Sequence, residues 1–188
     1  MKIWHVPIGI VVFLGLFPYI RSFFKRLHCM KKLEKLCRKK GYHLHATHPF
    51  WFLGNKYSQK CDLHIETPDE VFAIKFFGMP RRLSYLVIKE NGEYFIRNFI
   101  SVFSNAGGVS FPIESKSKPM PTYDFRYKYR DEWEVKTPRR ILLVNPVPRE
   151  IRHQPKFGTE VVLGSGDFVN GMEMYSLSGI IRILESGI

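Results

Sequence analysis

The chain opens on an unbroken apolar run. Ile3 to Ile20 reads IWHVPIGIVVFLGLFPYI, 18 residues without a formal charge. About 20 apolar residues span a bilayer, so the run predicts a transmembrane helix over 1–22. Trp4 and Tyr19 fall near its two ends, where amphipathic rings favour the headgroup level. Pro7 and Pro18 are near the ends as well and interrupt few helical bonds. A cleaved signal peptide fits less well: only Met-Lys precedes the apolar run, and the bulky, basic RSFF replaces a small-residue cleavage site. The pattern then changes to helical periodicity. Phe23, Leu27, Met30, Leu33 and Cys37 recur at three- and four-residue steps beside Leu36, predicting a basic juxtamembrane helix over 23–41 that stops at Gly41.

Beyond Gly41 the period shortens to two. Strands are predicted at His43–Thr47, at Asp62–Glu66 with Val71–Phe77 around TPDE, and at Leu83–Lys89 with Tyr94–Val102 around ENGE, where Asn91-Gly92 is a hairpin signal. Residues 104–122, rich in Gly, Ser, Pro and Lys, read as a mobile loop. Further strands are expected at Tyr123–Tyr129, Ile141–Val144, Val161–Leu163 and Met172–Tyr175. A last helix from about Ile180 to Glu185 has Ser176 or Ser178 as its cap. The outline is an α+β domain over 42–188 with a mainly antiparallel sheet, a basic first helix and a short C-terminal helix.

Charge sharpens the N-terminal reading. The net charge is +12, but residues 21–40 hold nine Lys or Arg and one acid, whereas 41–188 hold 19 basic and 16 acidic residues. A basic block beside an apolar run sets membrane orientation: N-terminus outside, domain in the cytoplasm. Arg21, Lys25, Arg26, Lys31, Lys32 and Lys35 form a candidate membrane-surface face, each contributing about 1 kcal/mol near anionic headgroups. A nucleic-acid surface needs basic residues spread over the folded domain, so nucleic acid is a weakly supported partner. Cys29, Cys37 and Cys61 are odd in number and make no disulfide framework, which fits free thiols in a reducing compartment.

Candidate chemistry centres on KCDLHIETPDEVFAIKFF. A four-residue connection pairs Glu66 with Val71, His64 with Ala73 and Asp62 with Lys75, converging Asp62, His64, Glu66 and Lys75 on one face. A basic helix ending in Gly41-Tyr42, a strand with an acid, a turn and a strand with an inward lysine resemble the PD-(D/E)xK, or restriction-endonuclease-like, fold. The resemblance covers about residues 30–78. It implies metal-dependent phosphodiester chemistry: Asp62 as a ligand for Mg²⁺ or Mn²⁺, Lys75 near the scissile phosphate, Glu34 as the acid some members carry on the first helix, and Glu66 as a second oxygen donor. Ala73 stands where the family has its second acid, and no helix follows the hairpin, so a degenerate relative fits better than an active one. A plain cross-strand ion pair between Asp62 and Lys75 accounts for the same residues without chemistry.

Other patterns are less specific. His43, His45, His48, Cys61 and His64 are borderline ligands that would suit zinc, but there is no CxxC, and alternation sends Cys61 away from Asp62. Histidines here would also respond to mild acid. YDFRYKYR resembles a single-strand nucleic-acid platform, but its alternation fits a half-buried strand with a solvated face better. GSGDFVNG lacks the lysine and following helix of a phosphate loop and reads as a turn. ILLVNPVPREI and GSGDFVNGMEMYSLSGIIRIL are similar to uncharacterised bacterial membrane proteins with one anchor and a cytoplasmic domain, a resemblance that implies no activity. The expected function is therefore a single-pass, membrane-anchored binding or scaffold module without cofactor, its partner an anionic lipid surface or a protein; the alternative is a membrane-tethered nuclease-like domain, active or degenerate.

Overall fold

The computed structural model describes residues 5–46, 61–79, 84–104, 107–121 and 138–186; for 5–19, 22, 101–104 and 107–109 it describes the backbone alone. The first element, α1 (His5–Lys40), is one continuous helix that joins the apolar run to the basic stretch. Gly41, at φ 72°, ends it, and the Tyr42 N–H reaches back to the Cys37 carbonyl (2.9 Å). The positive φ is the left-handed conformation that glycine adopts without a Cβ penalty.

Among the described residues twelve strands follow: β1 (His43–Ala46), β2 (Leu63–Glu66), β3 (Val71–Gly78), β4 (Tyr85–Lys89), β5 (Glu93–Ser104), β6 (Gly107–Glu114), β7 (Lys118–Pro119), β8 (Arg139–Asn145), β9 (Glu150–Gln154), β10 (Val161–Leu163), β11 (Phe168–Val169) and β12 (Met172–Tyr175). The chain closes on α2 (Leu177–Ser186), capped by the Ser176 hydroxyl, which accepts the Gly179 N–H at 3.0 Å. The expected cap is thus Ser176, and the helix is longer than its periodicity predicted.

The α+β class holds, but the strands form two sheets rather than one. The first has the order β1-β2-β3-β8-β12-β11 and the second β10-β9-β4-β5-β6, with β7 also on β5. Most pairings are antiparallel, but β3 with β8, β8 with β12 and β4 with β9 are parallel. Parallel neighbours need long crossovers, which local strand patterns do not reveal.

The first sheet is covered on both faces. Cys29, Leu33, Leu36 and Cys37 of α1, with Ile180 and Leu184 of α2, pack on Leu63, Ile65, Phe72, Ile74, Phe76, Ile141 and Leu143. The opposite side chains, including Phe77, Leu142, Val144, Met172 and Met174, pack against Leu86, Ile88, Tyr94 and Ile151 of the second sheet. This covering by two layers explains the near-continuous apolar run ILLV in β8. It also makes the carboxyl-terminal half of α1 part of the core.

Two other expectations change. Residues 104–122 are not a loop: β6 pairs with β5 over eight positions, Arg97 opposite Glu114 through Ser104 opposite Gly107. Val109, Phe111 and Ile113 carry the period-two signal that the Gly and Ser content obscured. Among the described strands β6 borders only β5, so Pro112 sits where a missing N–H is tolerated. The expected strand Tyr123–Tyr129 lies outside the described residues. Among residues whose side chains are described, no helix is long and apolar enough to cross a membrane. The side chains of Ile3–Tyr19, nearly all of the expected anchor, lie outside that set.

Candidate functional site

The β2–β3 hairpin forms in the register read from the sequence: Leu63 opposite Ile74, His64 opposite Ala73, Ile65 opposite Phe72 and Glu66 opposite Val71. Thr67 and Glu70 close the turn with reciprocal hydrogen bonds of 3.0 Å through the Thr67 hydroxyl. At the other end, Asp62 enters β2. Its N–H donates to the Ile74 carbonyl at 2.8 Å, and its Oδ2 accepts the Phe76 N–H at 2.8 Å. The carboxylate is therefore fixed against the backbone of β3.

Two cations face it. Lys75 Nζ lies 3.8 Å from Asp62 Oδ1, and Arg26 Nη1, from α1, lies 3.8 Å from Oδ2. All three are inside the protein: Arg26 is 6% exposed, Asp62 2% and Lys75 1%. Burial holds the Lys75 ammonium below the usual lysine range, the Asp62 charge opposing this and the Arg26 charge adding to it. Burial likewise lowers Arg26, again against Asp62. The Arg26 guanidinium also lies 5.6 Å from the centre of the Phe76 ring. At 3.8 Å and an effective dielectric constant near 20, each pair attracts by about 4 kcal/mol, comparable to the several kcal/mol of desolvation per ion. The cluster therefore adds little net stability, whereas removing the shared carboxylate is costly.

Beside it, Cys61 Sγ lies 2.8 Å from His64 Nε2. The sequence expectation turned Cys61 away from its neighbours, because strict alternation was extended one residue beyond β2. The structure brings the pair together, and the three-residue spacing C-x-x-H across the strand entry was its signal. Burial lowers His64 from its ordinary 6.5 to about 4, with a smaller contribution from the His45 charge. The imidazole is thus neutral at pH 7. A thiol on a neutral imidazole can be an activated nucleophile where substrate reaches it. Here the two residues are 2% and 3% exposed, which suits an internal hydrogen bond.

The remaining candidates stay apart from the cluster. Glu34 pairs with Arg38 at 2.7 Å on the open side of α1. It stands eight residues beyond Arg26, about 12 Å along the helix, so α1 brings a cation rather than an acid to Asp62. Glu66 is four residues from Asp62, about 13 Å along β2, and is the register partner of Val71 and His43. Neither can complete an oxygen shell at Asp62. His43 and His45 stack with ring centres 6.4 Å apart on exposed β1, and His48 lies outside the described residues. Among the described residues no group of three or more His, Cys, Asp or Glu is placed to hold a metal ion.

Of the expected surface cations, Arg21, Lys31, Lys32 and Lys35 are exposed and Lys25 is half-buried, its Nζ donating to the Met79 carbonyl at 3.1 Å. Arg26 does not belong to that face, because its side chain turns inward to Asp62. Arg21, Lys25, His28 and Lys32 line an open groove of about 1060 Å³, together with Ile20, Phe24, Val147 and the start of α2. The thiols of Cys29 and Cys37 are pushed up to about 11 by burial, and none of the three cysteines is in a disulfide.

In comparisons with known proteins, no family model, curated protein or solved structure matches the chain.

Two measurements test the cluster. Asp62→Ala strips both cations and the Phe76 N–H of a shared acceptor and should cost about 3–5 kcal/mol in urea unfolding. Lys75→Met keeps much of the volume and removes one of two like charges, so it should cost less; equal losses would contradict the shared-carboxylate account. His64 gives a pH dependence. The unfolded chain takes up its proton near 6.5 and the folded chain only near 4, so the contribution is complete above about pH 6.5 and disappears as pH falls towards 4. His64→Gln should flatten the stability profile in that window by on the order of 2–3 kcal/mol; parallel profiles for the two proteins would refute the neutral, buried imidazole.

Proposed function

We propose that the chain is a single-pass membrane protein whose cytoplasmic α+β domain acts by binding rather than by catalysis. The observation that carries this reading is the continuity of α1. One helix carries the apolar run out of the domain and returns its basic half as the first core element. The domain is therefore held close to the surface from which the apolar run departs. Arg21, Lys25 and Lys32 edge the groove at that departure, and their cationic heads beside Ile20, Phe24 and Val147 suit an anionic lipid headgroup and its apolar flank. In this orientation the basic block stays inside and the N-terminus outside.

The second reading is a degenerate nuclease-like hairpin. It is favoured by the 3.8 Å approach of Lys75 to Asp62 in the register the resemblance implies. Hard cations want several oxygens. The polar partners of Asp62 include Lys75, Arg26 and a backbone N–H, and Ala73 fills the second acid position. A metal would have to displace two buried cations from a single carboxylate, so the cluster is assigned a structural role.

Both readings have direct tests. A C-terminal tag on the protein in intact cells should resist external protease, and its digestion would exclude the cytoplasmic domain. Calorimetric titration with Mg²⁺ and Mn²⁺ should give no heat of specific binding. Heat that vanishes in Asp62→Ala but survives in Lys75→Met would instead favour the nuclease-like reading. The full chain in detergent is required, because a cut at Gly41 removes Cys29, Leu33, Leu36 and Cys37 from the core.

A further inference from the structure

We infer that the β5–β6 hairpin is a second membrane contact, inserting uncharged side chains among the lipids on the same side of the domain as the apolar half of α1. The inference rests on the membrane reading above and adds a site to it.

The direction of the hairpin follows from how the chain joins the two sheets. At one end, which we call proximal, the Met79 N–H bonds the Asn145 carbonyl where β3 and β8 end, and the Arg149 N–H bonds the Ser84 carbonyl where β9 and β4 begin. Only residues 146–149 separate the end of β8 from the start of β9, so the carboxyl ends of β3 and β8 lie beside the amino ends of β4 and β9. At the distal end, Asn170, in the β11–β12 turn, lies against Gly92 in the β4–β5 turn. The helix is fixed to the same frame. Lys25 reaches the Met79 carbonyl and Cys29 the Asn145 amide at the proximal end, while Lys40 reaches the Glu185 carbonyl at the other. The half of α1 that precedes Lys25 therefore leaves from the proximal end.

β5 runs towards that end. It starts at Glu93 in the distal turn and reaches Arg97, opposite Tyr85, where β4 begins. Asn98 to Ser104 then continue with β6 as their ladder partner, seven residues beyond the start of β4 and about 23 Å if fully extended. The face that packs Tyr94 and Ile96 on the first sheet continues as Ile100, Phe111 and Ile113, which have run past that cover and are about half exposed. Phe99, on the other face, is 48% exposed. From Asn98 to Ile113 the sequence contains no Asp, Glu, Lys, Arg or His, in a chain that is 24% charged. Pairing satisfies the backbone groups of β5 and β6 that face each other, the outer edges remain at the hydrated headgroup level, and the flanking Arg97–Glu114 pair at 2.9 Å marks where charge resumes. An apolar projection with charge only at its base, pointing where the apolar helix points, fits a bilayer as its occupant.

Nitroxide depth measurements test this on the full chain in bilayer discs of phosphatidylcholine and phosphatidylglycerol. Labels are introduced one at a time through Leu14→Cys, Ile100→Cys, Phe111→Cys and Lys118→Cys; the native cysteines are at most 2% exposed. Lys118 pairs with Tyr94 and serves as the distal control. The expected result is oxygen collisions exceeding those of a nickel chelate at positions 14, 100 and 111, with the order reversed at 118. Labels at 100 and 111 that match 118 while 14 is lipid-immersed overturn the hairpin contact and leave the anchor intact. Suppression of both collisions at 100 and 111 also overturns it, in favour of a second protein copy on the hairpin. Immersion at 100 and 111 with 14 in water supports the hairpin contact and removes the anchor.

Discussion

The parallel pairing of β3 with β8 is the constraint from which the rest of the architecture follows. Seven consecutive positions, Phe72 with Arg139 through Gly78 with Asn145, join the two strands at the centre of the first sheet. A parallel pair cannot be made by a tight turn, because the chain must return to the end from which it began. Helices commonly make that return. In this protein strands β4 to β7 lie within it, and they build most of the second sheet. The crossover therefore also supplies the cover for one face of β3 and β8, while α1 and α2 cover the other. Buried on both sides, Ile74, Ile141, Leu142 and Leu143 are each fully enclosed.

The charged cluster is a consequence of the same layering. Asp62 lies where β2 begins, beside the backbone of Phe76 and within reach of α1. Lys75 points from β3 towards the second sheet, and Arg26 approaches from the helix. Charges from three elements thus meet on one carboxylate. Its energetic value is in excluding other arrangements: a helix rotated by one residue would carry Arg26 about 100° away and leave buried charge without that compensation. The Cys61–His64 contact adds a neutral hydrogen bond to the same strand entry. Stability and specificity are different quantities here, since the net stabilisation is small and the penalty for mispairing is large.

Local chemistry was legible in the sequence where it was local. The β2–β3 register could be read because TPDE fixes the turn and alternation fixes the faces. Gly41 and Ser176 ended and began their helices for stereochemical reasons visible in a few residues. What was not legible depended on distant partners. Nothing within ILLVN states that it lies parallel to FAIKFF, so a second sheet could not be anticipated. Arg26 was indistinguishable from its basic neighbours until its position on the helix was set against Asp62. Glu34 and Glu66 looked available by residue type, and only the spacing along α1 and β2 removed them. In β6, Gly107, Gly108, Ser110 and Pro112 masked an alternation that β5 completes.

The unbroken helix from His5 to Lys40 has a mechanical meaning. Because one helix carries both its apolar and its core halves, α1 acts as a keyed shaft. Each added residue turns everything beyond it by about 100° and shifts it by 1.5 Å. The bearing of the domain about the shaft is therefore encoded in the number of residues between Tyr19 and Cys29. One residue inserted in that interval would turn the domain by that angle relative to the apolar half of α1.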